Sequence, residues 1–220
     1  MPRPELHTAK GQRRRNALIV AAAEVVAERG YAGVTHRAVA ARAEVPVATI
    51  TYYFSSIDEL VLAGVSHNQL AVADEIDRRI SEHLTEGHTA QESCRWLAEV
   101  LLSIPQFDLL VNFEVYLNGT RQESLHENVT TTLGRFTDVA RRVLEVLGAD
   151  HPDDAAPALL AMVEGFLLHH LCRPAPDDLA QLQRALESQL LLALMSDEER
   201  ALAGERLMAR VAPASGVVTR

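Results

Sequence analysis

Along most of this chain apolar residues recur with the 3.6-residue period of a helix, and no strand-like alternation interrupts them. Leu18, Ala22, Val25 and Val26 share one face of a helix predicted over 10–29, which Gly30 closes as a C′ residue. Thr35 suits the N-cap of a second helix running to about Ala43. Pro46 opens a short third helix ending near Phe54, since proline is tolerated in a first turn but not in an interior. Ser55 or Ser56, followed by Asp58 and Glu59, starts a long fourth helix reaching about Leu84, and Gly87 breaks it. Further helices are predicted over 89–104, 105–117, 122–147, 153–171 and 177–195, separated by turns at 148–152 and 173–176. A charged helix over 196–210 and a Pro/Ser/Gly tail complete the chain. The fold class is all-α.

Within this pattern the stretch THRAVAARAEVPVATITYYF, residues 35–54, stands apart. Two short helices joined by a tight turn and backed by a longer one form a helix-turn-helix arrangement. Val39, Ala40, Val45, Ile50 and Phe54 can converge with Val25 and Val26 in a small core. Val47, Ala48, Thr49, Thr51, Tyr52 and Tyr53 then remain as contact surface, whose hydroxyls and small apolar groups suit a DNA major groove.

Charge supports that reading. The chain has a net charge of −9, with Lys10 its single lysine. Yet residues 1–54 hold eight Arg and Lys against four acids, a net of +4, so the remainder carries −13. A basic module on an acidic body can still dock a polyanion. At 220 residues there is ample material for a core. Cys94 and Cys172 supply no disulfide framework and suit a reducing cytoplasm. The N-terminus has no secretory pattern, and no uninterrupted run reaches the roughly 18 apolar residues of a membrane span, so no membrane partner is expected.

The stretch from about Arg13 to Leu60, with AERGYAGVT, RAVAARAEVPVATITYYF and SSIDEL in order, resembles the DNA-binding domain of the TetR family of transcriptional regulators. The resemblance implies an N-terminal three-helix helix-turn-helix domain over 11–55 after a flexible 1–10. A helical-bundle domain for ligand binding and dimerisation follows over 56–195, then a charged peripheral helix and flexible tail over 196–220. It implies a homodimeric repressor or activator on double-stranded operator DNA that binds a small-molecule effector, with no catalysis and no cofactor; of the two, a repressor released by the effector is the expectation. Arg37, Thr49, Tyr52 and Tyr53 match DNA-contacting positions of the family. With Arg14, Thr35, His36, Val47, Ala48 and Thr51 they form the candidate DNA surface.

The chain departs from the family in three places. Glu44 stands where glycine is usual in the turn, at a cost of about 1 kcal/mol if φ is positive. Thr51 replaces a usual tyrosine. Ile57 replaces a frequent lysine, leaving only backbone N–H groups and the helix dipole there for a phosphate.

In the acidic body, the helix over 153–171 is apolar all round and so calls for burial on two sides. Ala158, Ala161, Gly165 and Leu168, with Leu182 and Leu186 of the last strong helix, are the candidate dimer contacts, forming a four-helix bundle across two subunits. A ligand pocket is sought around Trp96, Asn112, Phe113, Glu114, Tyr116, Phe136, Phe166 and His170, apolar surroundings with a few polar groups. His169, His170 and Cys172 do not make a metal site, because adjacent helical histidines diverge by about 100°. The rival reading is an all-helical carrier or enzyme whose helix-turn-helix is structural only.

Overall fold

The computed structural model describes residues 8–83 and 89–211, without the side chains of 124 and 207–211. Expectations for the first seven residues, for the break at Gly87 and for the tail after Val211 lie outside the described residues. Within them are ten α-helices and no strand.

Local chemistry sets most helix ends. The Thr8 hydroxyl accepts from the Gly11 N–H and starts α1 (Ala9–Arg29). Gly30 closes α1 at φ 69°, its N–H donating to the Val26 carbonyl. A 3-10 turn at Tyr31–Gly33 leads to α2 (His36–Arg42), capped by Thr35, whose hydroxyl accepts from the Ala38 N–H at 3.1 Å. Glu44 then takes φ 54°, the left-handed conformation anticipated for that turn, in a residue type that pays for it. Pro46 is extended (ψ 142°) and acts as N-cap of α3 (Val47–Tyr53) rather than lying in its first turn. The Ser56 hydroxyl accepts from the Glu59 N–H and begins α4 (Ile57–His83). Thr89 and Glu92 form a reciprocal capping box on α5 (Ala90–Leu102), and Pro105 precedes α6 (Gln106–Gly119). The remaining helices are α7 (Glu123–Val146), α8 (Pro152–Cys172), α9 (Asp178–Leu194) and α10 (Asp197–Val211).

Three apolar clusters stack from one end to the other. The first joins α1, α2 and α3 through Leu18, Val25, Val39, Ala40, Ile50, Tyr53 and Phe54, and Leu60 of α4 completes it. The second is a junction, where Val26 and Tyr31 meet Val61 and Val65 of α4, Val111 and Val115 of α6, and Leu125 of α7. Val26, expected in the first cluster, belongs here, because the far side of α1 is covered by the body. The third cluster fills the space between the second half of α4 and helices α5 to α9.

Two readings of α8 change. It is 21 residues long and apolar enough, by length and composition, to cross a membrane, because Ala and Leu dominate it despite Asp153, Asp154 and Glu164. Nor is it buried on both sides within the chain. Ala156, Leu159 and Leu167 are buried, whereas Ala158, Ala161, Gly165 and Leu168 are exposed.

At the crossing of α1 and α4 a Cβ added to Gly64 would stand 2.8 Å from the Ile19 carbonyl oxygen and 3.0 Å from the Ala23 nitrogen. Both obstacles are backbone, so Gly64→Ala must force the helices apart. It should cost about 1–3 kcal/mol in urea unfolding. Gly134→Ala, inside α7 with no atom within 4 Å of the added carbon, should instead stabilise by up to about 1 kcal/mol.

Candidate nucleic-acid interface and effector cavity

On α3 the side chains divide by the helical period. Ile50 and Tyr53, three residues apart, turn into the core, while Val47, Ala48 and Thr51 are exposed and Thr49 and Tyr52 half-buried. Tyr53, expected on the contact surface, is 9% exposed and packs in the first cluster, its ring edge-on to Tyr52 at 5.0 Å. The expectation fails because that side of α3 packs into the core shared with α1, α2 and Leu60 of α4. Tyr52 also packs partly against this core. The Thr51 hydroxyl donates to the Ala48 carbonyl, and the Thr35 oxygen is engaged as a cap while its side chain stays exposed. His36 is half-buried.

The positive charges of this end are of two kinds. Arg42 is paired with Glu24 and Glu28, and Arg15 lies over the Phe54 ring at 5.0 Å, a cation–π contact that helps lock α1 onto α3. Arg13, Arg14 and Arg37 are exposed and form no ion pair among the described residues. The start of α4 is less open to a phosphate than its sequence suggests. There the Glu59 carboxylate accepts from the Ser55 N–H at 2.7 Å and from the Ser55 hydroxyl at 2.5 Å. Those bonds, the hydroxyl's first, hold the Glu59 carboxyl below the usual carboxylate range. Ile57 packs against the first two clusters, which accounts for an apolar residue there.

In the body, a cavity of about 90 Å³ lies between α4, α5, α6, α7, α8 and α9. Its apolar wall includes Val72, Ile76, Leu97, Leu101, Phe136, Val139, Leu159, Val163 and Leu167. Asn68, Gln69, Asp108, Asn112 and Glu164 are its polar side chains. Thr132 Oγ1 donates to Gln69 Oε1, and Gln69 Nε2 donates to Asn112 Oδ1, each at 3.0 Å. The Tyr116 hydroxyl donates to Glu164 Oε1 at 2.7 Å. Burial pushes the Glu164 carboxyl up from its ordinary value, opposed by the Tyr116 and Asn112 hydrogen bonds. Tyr116 is raised as well, first by burial and then by the Glu164 charge. A second hollow, of about 260 Å³, adjoins the first and shares Asn68, Val72, Ile76, Ile104 and Asp108 with it.

Of the eight candidate ligand residues, Asn112 and Phe136 line the cavity. Tyr116 reaches it through Glu164, and Phe113 stands edge-on to Tyr116. Phe166 packs against the body core outside the cavity lining. Trp96 stacks on His83 at 4.3 Å, tying the end of α4 to α5. His170 Nδ1 lies 2.5 Å from Asp178 Oδ2, which also accepts from the Ala175 N–H and so fixes the turn between α8 and α9. Glu114 faces α1 and accepts from the Tyr31 N–H at 3.0 Å. Asn68, Gln69, Asp108 and Glu164 were missed. One signal pointed to them: Asp108, Asn112 and Tyr116 recur every four residues, and Glu164 is a lone acid in an apolar run.

Of the candidate dimer residues, Leu182 and Leu186 are 0% and 3% exposed, sealed in the body core because their face of α9 meets α5 and α8. The exposed large apolar residues of α9 are Leu191, Leu192 and Leu194.

A helix-turn-helix head on a helical body is the arrangement of a DNA-binding transcriptional regulator. Residues 18–63 match the family model for bacterial regulatory proteins of the tetR family, and residues 88–191 match a tetracyclin repressor-like C-terminal domain. Among relatives, the HTH-type transcriptional regulator BetI of Brucella melitensis biotype 1 is 27% identical, covering 70% of this chain and 89% of that protein. Among solved structures, a putative transcriptional regulator of Streptomyces coelicolor A3(2), SCO7518, is 27% identical with a TM-score of 0.66, covering 81% of this chain and 98% of that one. The multidrug binding protein EbrR complexed with imidazole is 26% identical with a TM-score of 0.62, covering 80% and 94%. The chain belongs to the TetR family of transcriptional regulators. Its helix-turn-helix is therefore a DNA-binding domain, and membership implies a regulator rather than an enzyme.

Arg37 and Arg14 separate sequence reading from phosphate holding. Arg37→Ala should relax preference at one symmetric pair of bases and narrow the gap between specific and random DNA by about 1–3 kcal/mol per half-site. Arg14→Ala should weaken all sequences alike and flatten the log–log salt slope by about one per lost contact. Binding curves on specific and scrambled duplexes at several salt concentrations measure both. Equal loss on the two duplexes for Arg37→Ala would leave reading to α3 alone.

Proposed function

We propose that this regulator is a repressor that binds a palindromic operator as a homodimer in the cytoplasm and leaves it when a small molecule enters the cavity of the body. The observation that carries the reading is the position of α6. Asn112 belongs to the hydrogen-bonded chain of the cavity, and two residues on Glu114 holds the Tyr31 N–H at the end of α1. Asn118 steadies Glu114 by donating to its carbonyl at 2.8 Å and its carboxylate at 3.2 Å. A ligand that displaces Asn112 therefore pulls on a helix bonded to the reading head. Release requires that the ligand prefer the displaced state, because equal affinity for both states shifts nothing. EbrR, named a multidrug binding protein and complexed with imidazole and with proflavin, supports a small-molecule role for a body of this fold.

Two copies of the exposed α8 seam of Ala158, Ala161, Gly165 and Leu168, extended by Leu191 and Leu192 of α9, would form the dimer. Small residues at the crossing let such helices approach closely, and two reading heads then sit one DNA turn apart on a palindrome.

The coupling is tested with Glu114→Ala. Effector binding should persist, while the factor by which effector weakens operator binding should fall from tens-fold to less than about threefold. An unchanged factor would show that the signal bypasses Glu114. The seam is tested with Gly165→Arg. A Cβ added at Gly165 meets no atom within 4 Å in the single chain, so the variant should fold, sediment as a monomer and lose tight operator binding. A wild-type monomer at micromolar concentration would overturn the seam.

A further inference from the structure

Every hydrogen bond in the cavity's polar chain runs one way. Thr132 donates to Gln69 and Gln69 to Asn112, and beside Asn112 the Tyr116 hydroxyl donates to Glu164, where the set ends. Glu164 is thus a half-buried carboxylate met by one neutral hydroxyl, with no Lys, Arg or His among the residues that line the cavity. The other polar corner also lacks donors. Asn68 spends its amide on Asp108 Oδ1 at 2.6 Å, and its Oδ1 is buried with no hydrogen-bond donor. Arg79, in the adjoining hollow, is committed to Glu75 and Ser103. The cavity therefore offers two carboxylates and an unused amide oxygen inside an apolar wall. A buried charge without an opposite charge is costly, and an unmet acceptor costs further. An anionic ligand would compound both costs, a neutral donor could meet the free acceptor but would leave the charge unpaired, and a cation with N–H groups relieves both.

We propose that the effector is a hydrophobic amine bound as its ammonium ion, its charge against Glu164, its N–H groups serving the cavity's unmet acceptors and its alkyl or aryl body against the Leu, Ile, Val and Phe wall. This deepens, and rests on, the reading of the cavity as the effector site. Entry is through the adjoining hollow beside Asn68 and Asp108, whose acids attract a cation on the way in.

The full chain is titrated by calorimetry with 2-phenylethylamine, with propylbenzene, in which a methyl replaces the ammonium, with 3-phenylpropionate, and with the N,N,N-trimethyl derivative of the amine. The amine should bind at least tenfold more tightly than propylbenzene and than the trimethyl derivative, and the carboxylate should not bind. Glu164→Gln should bring the ratio of amine to propylbenzene affinity close to one; using the ratio removes any general loss from altered folding. Ala140→Phe, which fills the cavity, should abolish binding of both. Equal affinity for amine and propylbenzene, equal affinity for the trimethyl derivative, or no binding of the amine at millimolar concentration overturns the proposal. Operator binding is read in the same samples. Propylbenzene that binds as tightly and releases DNA sinks the ammonium assignment but keeps the effector site. An amine that binds through Glu164 without changing operator affinity keeps the ammonium site and sinks its role as effector.

Discussion

The near-contact of two helix backbones at Gly64 is the constraint on which the rest depends. Three short or medium helices over 45 residues bury too little to be secure alone. Their core is completed by Leu60, and the next turns of α4 serve the junction through Val61 and Val65 and then the body through Ile76 and Ile80. One helix thus contributes in sequence to all three clusters. Only a glycine lets α1 lie close enough for the first two to be continuous. The orientation of the reading head is consequently a property of α4, with α6 as its second support.

The polar interior follows from that geometry. Gln69 sits on α4 just past the junction, 2% exposed, and both ends of its amide are bonded, to Thr132 of α7 and to Asn112 of α6. Unbonded, such a group would cost several times what each bond contributes. The bonds therefore fix the register of three helices more sharply than apolar packing, which tolerates sliding. Glu114 does the same between α6 and α1. The Asn128 amide bonds Ser66 on the same flank of α4. Movement of α6 must rearrange this set together, so a change at the cavity has few ways to dissipate before reaching α1.

Much of this was legible in the sequence. Caps and breakers announce themselves chemically: Thr8, Thr35 and Thr89 cap as hydroxyls do, Gly30 takes a positive φ, and Pro46, Pro105 and Pro152 sit at helix entries, although Pro157 lies inside α8. Glu44 was read as strained and has φ 54°. What was not legible is which face of an apolar helix meets which neighbour. Tyr53, Leu182 and Leu186 were assigned to surfaces and lie in cores, and Trp96 was assigned to a pocket and stacks on His83. Each error has one cause. Periodicity gives a stripe but not its partner, and α8 and α9 carry apolar residues on more than one side. Gly64 escaped because a helical glycine is silent until the crossing helix is known.

α8 gathers these threads. Glu164 turns inward to the Tyr116 hydroxyl, while Gly165, one residue on and about 100° around the helix, turns outward to open space. In the proposed dimer those two directions become cavity and subunit seam, so a ligand against Glu164 presses on the helix that aligns the partner. Ala158, Ala161 and Gly165 at the centre of the seam are small, and small residues leave little side chain to absorb a shift by changing rotamer. A displacement of α8 would pass to the partner largely as rigid motion. Two routes then leave the same cavity: one through α6 to its own reading head, the other through α8 to the spacing between heads. A cavity at the meeting of α6 and α8 is placed to act on both.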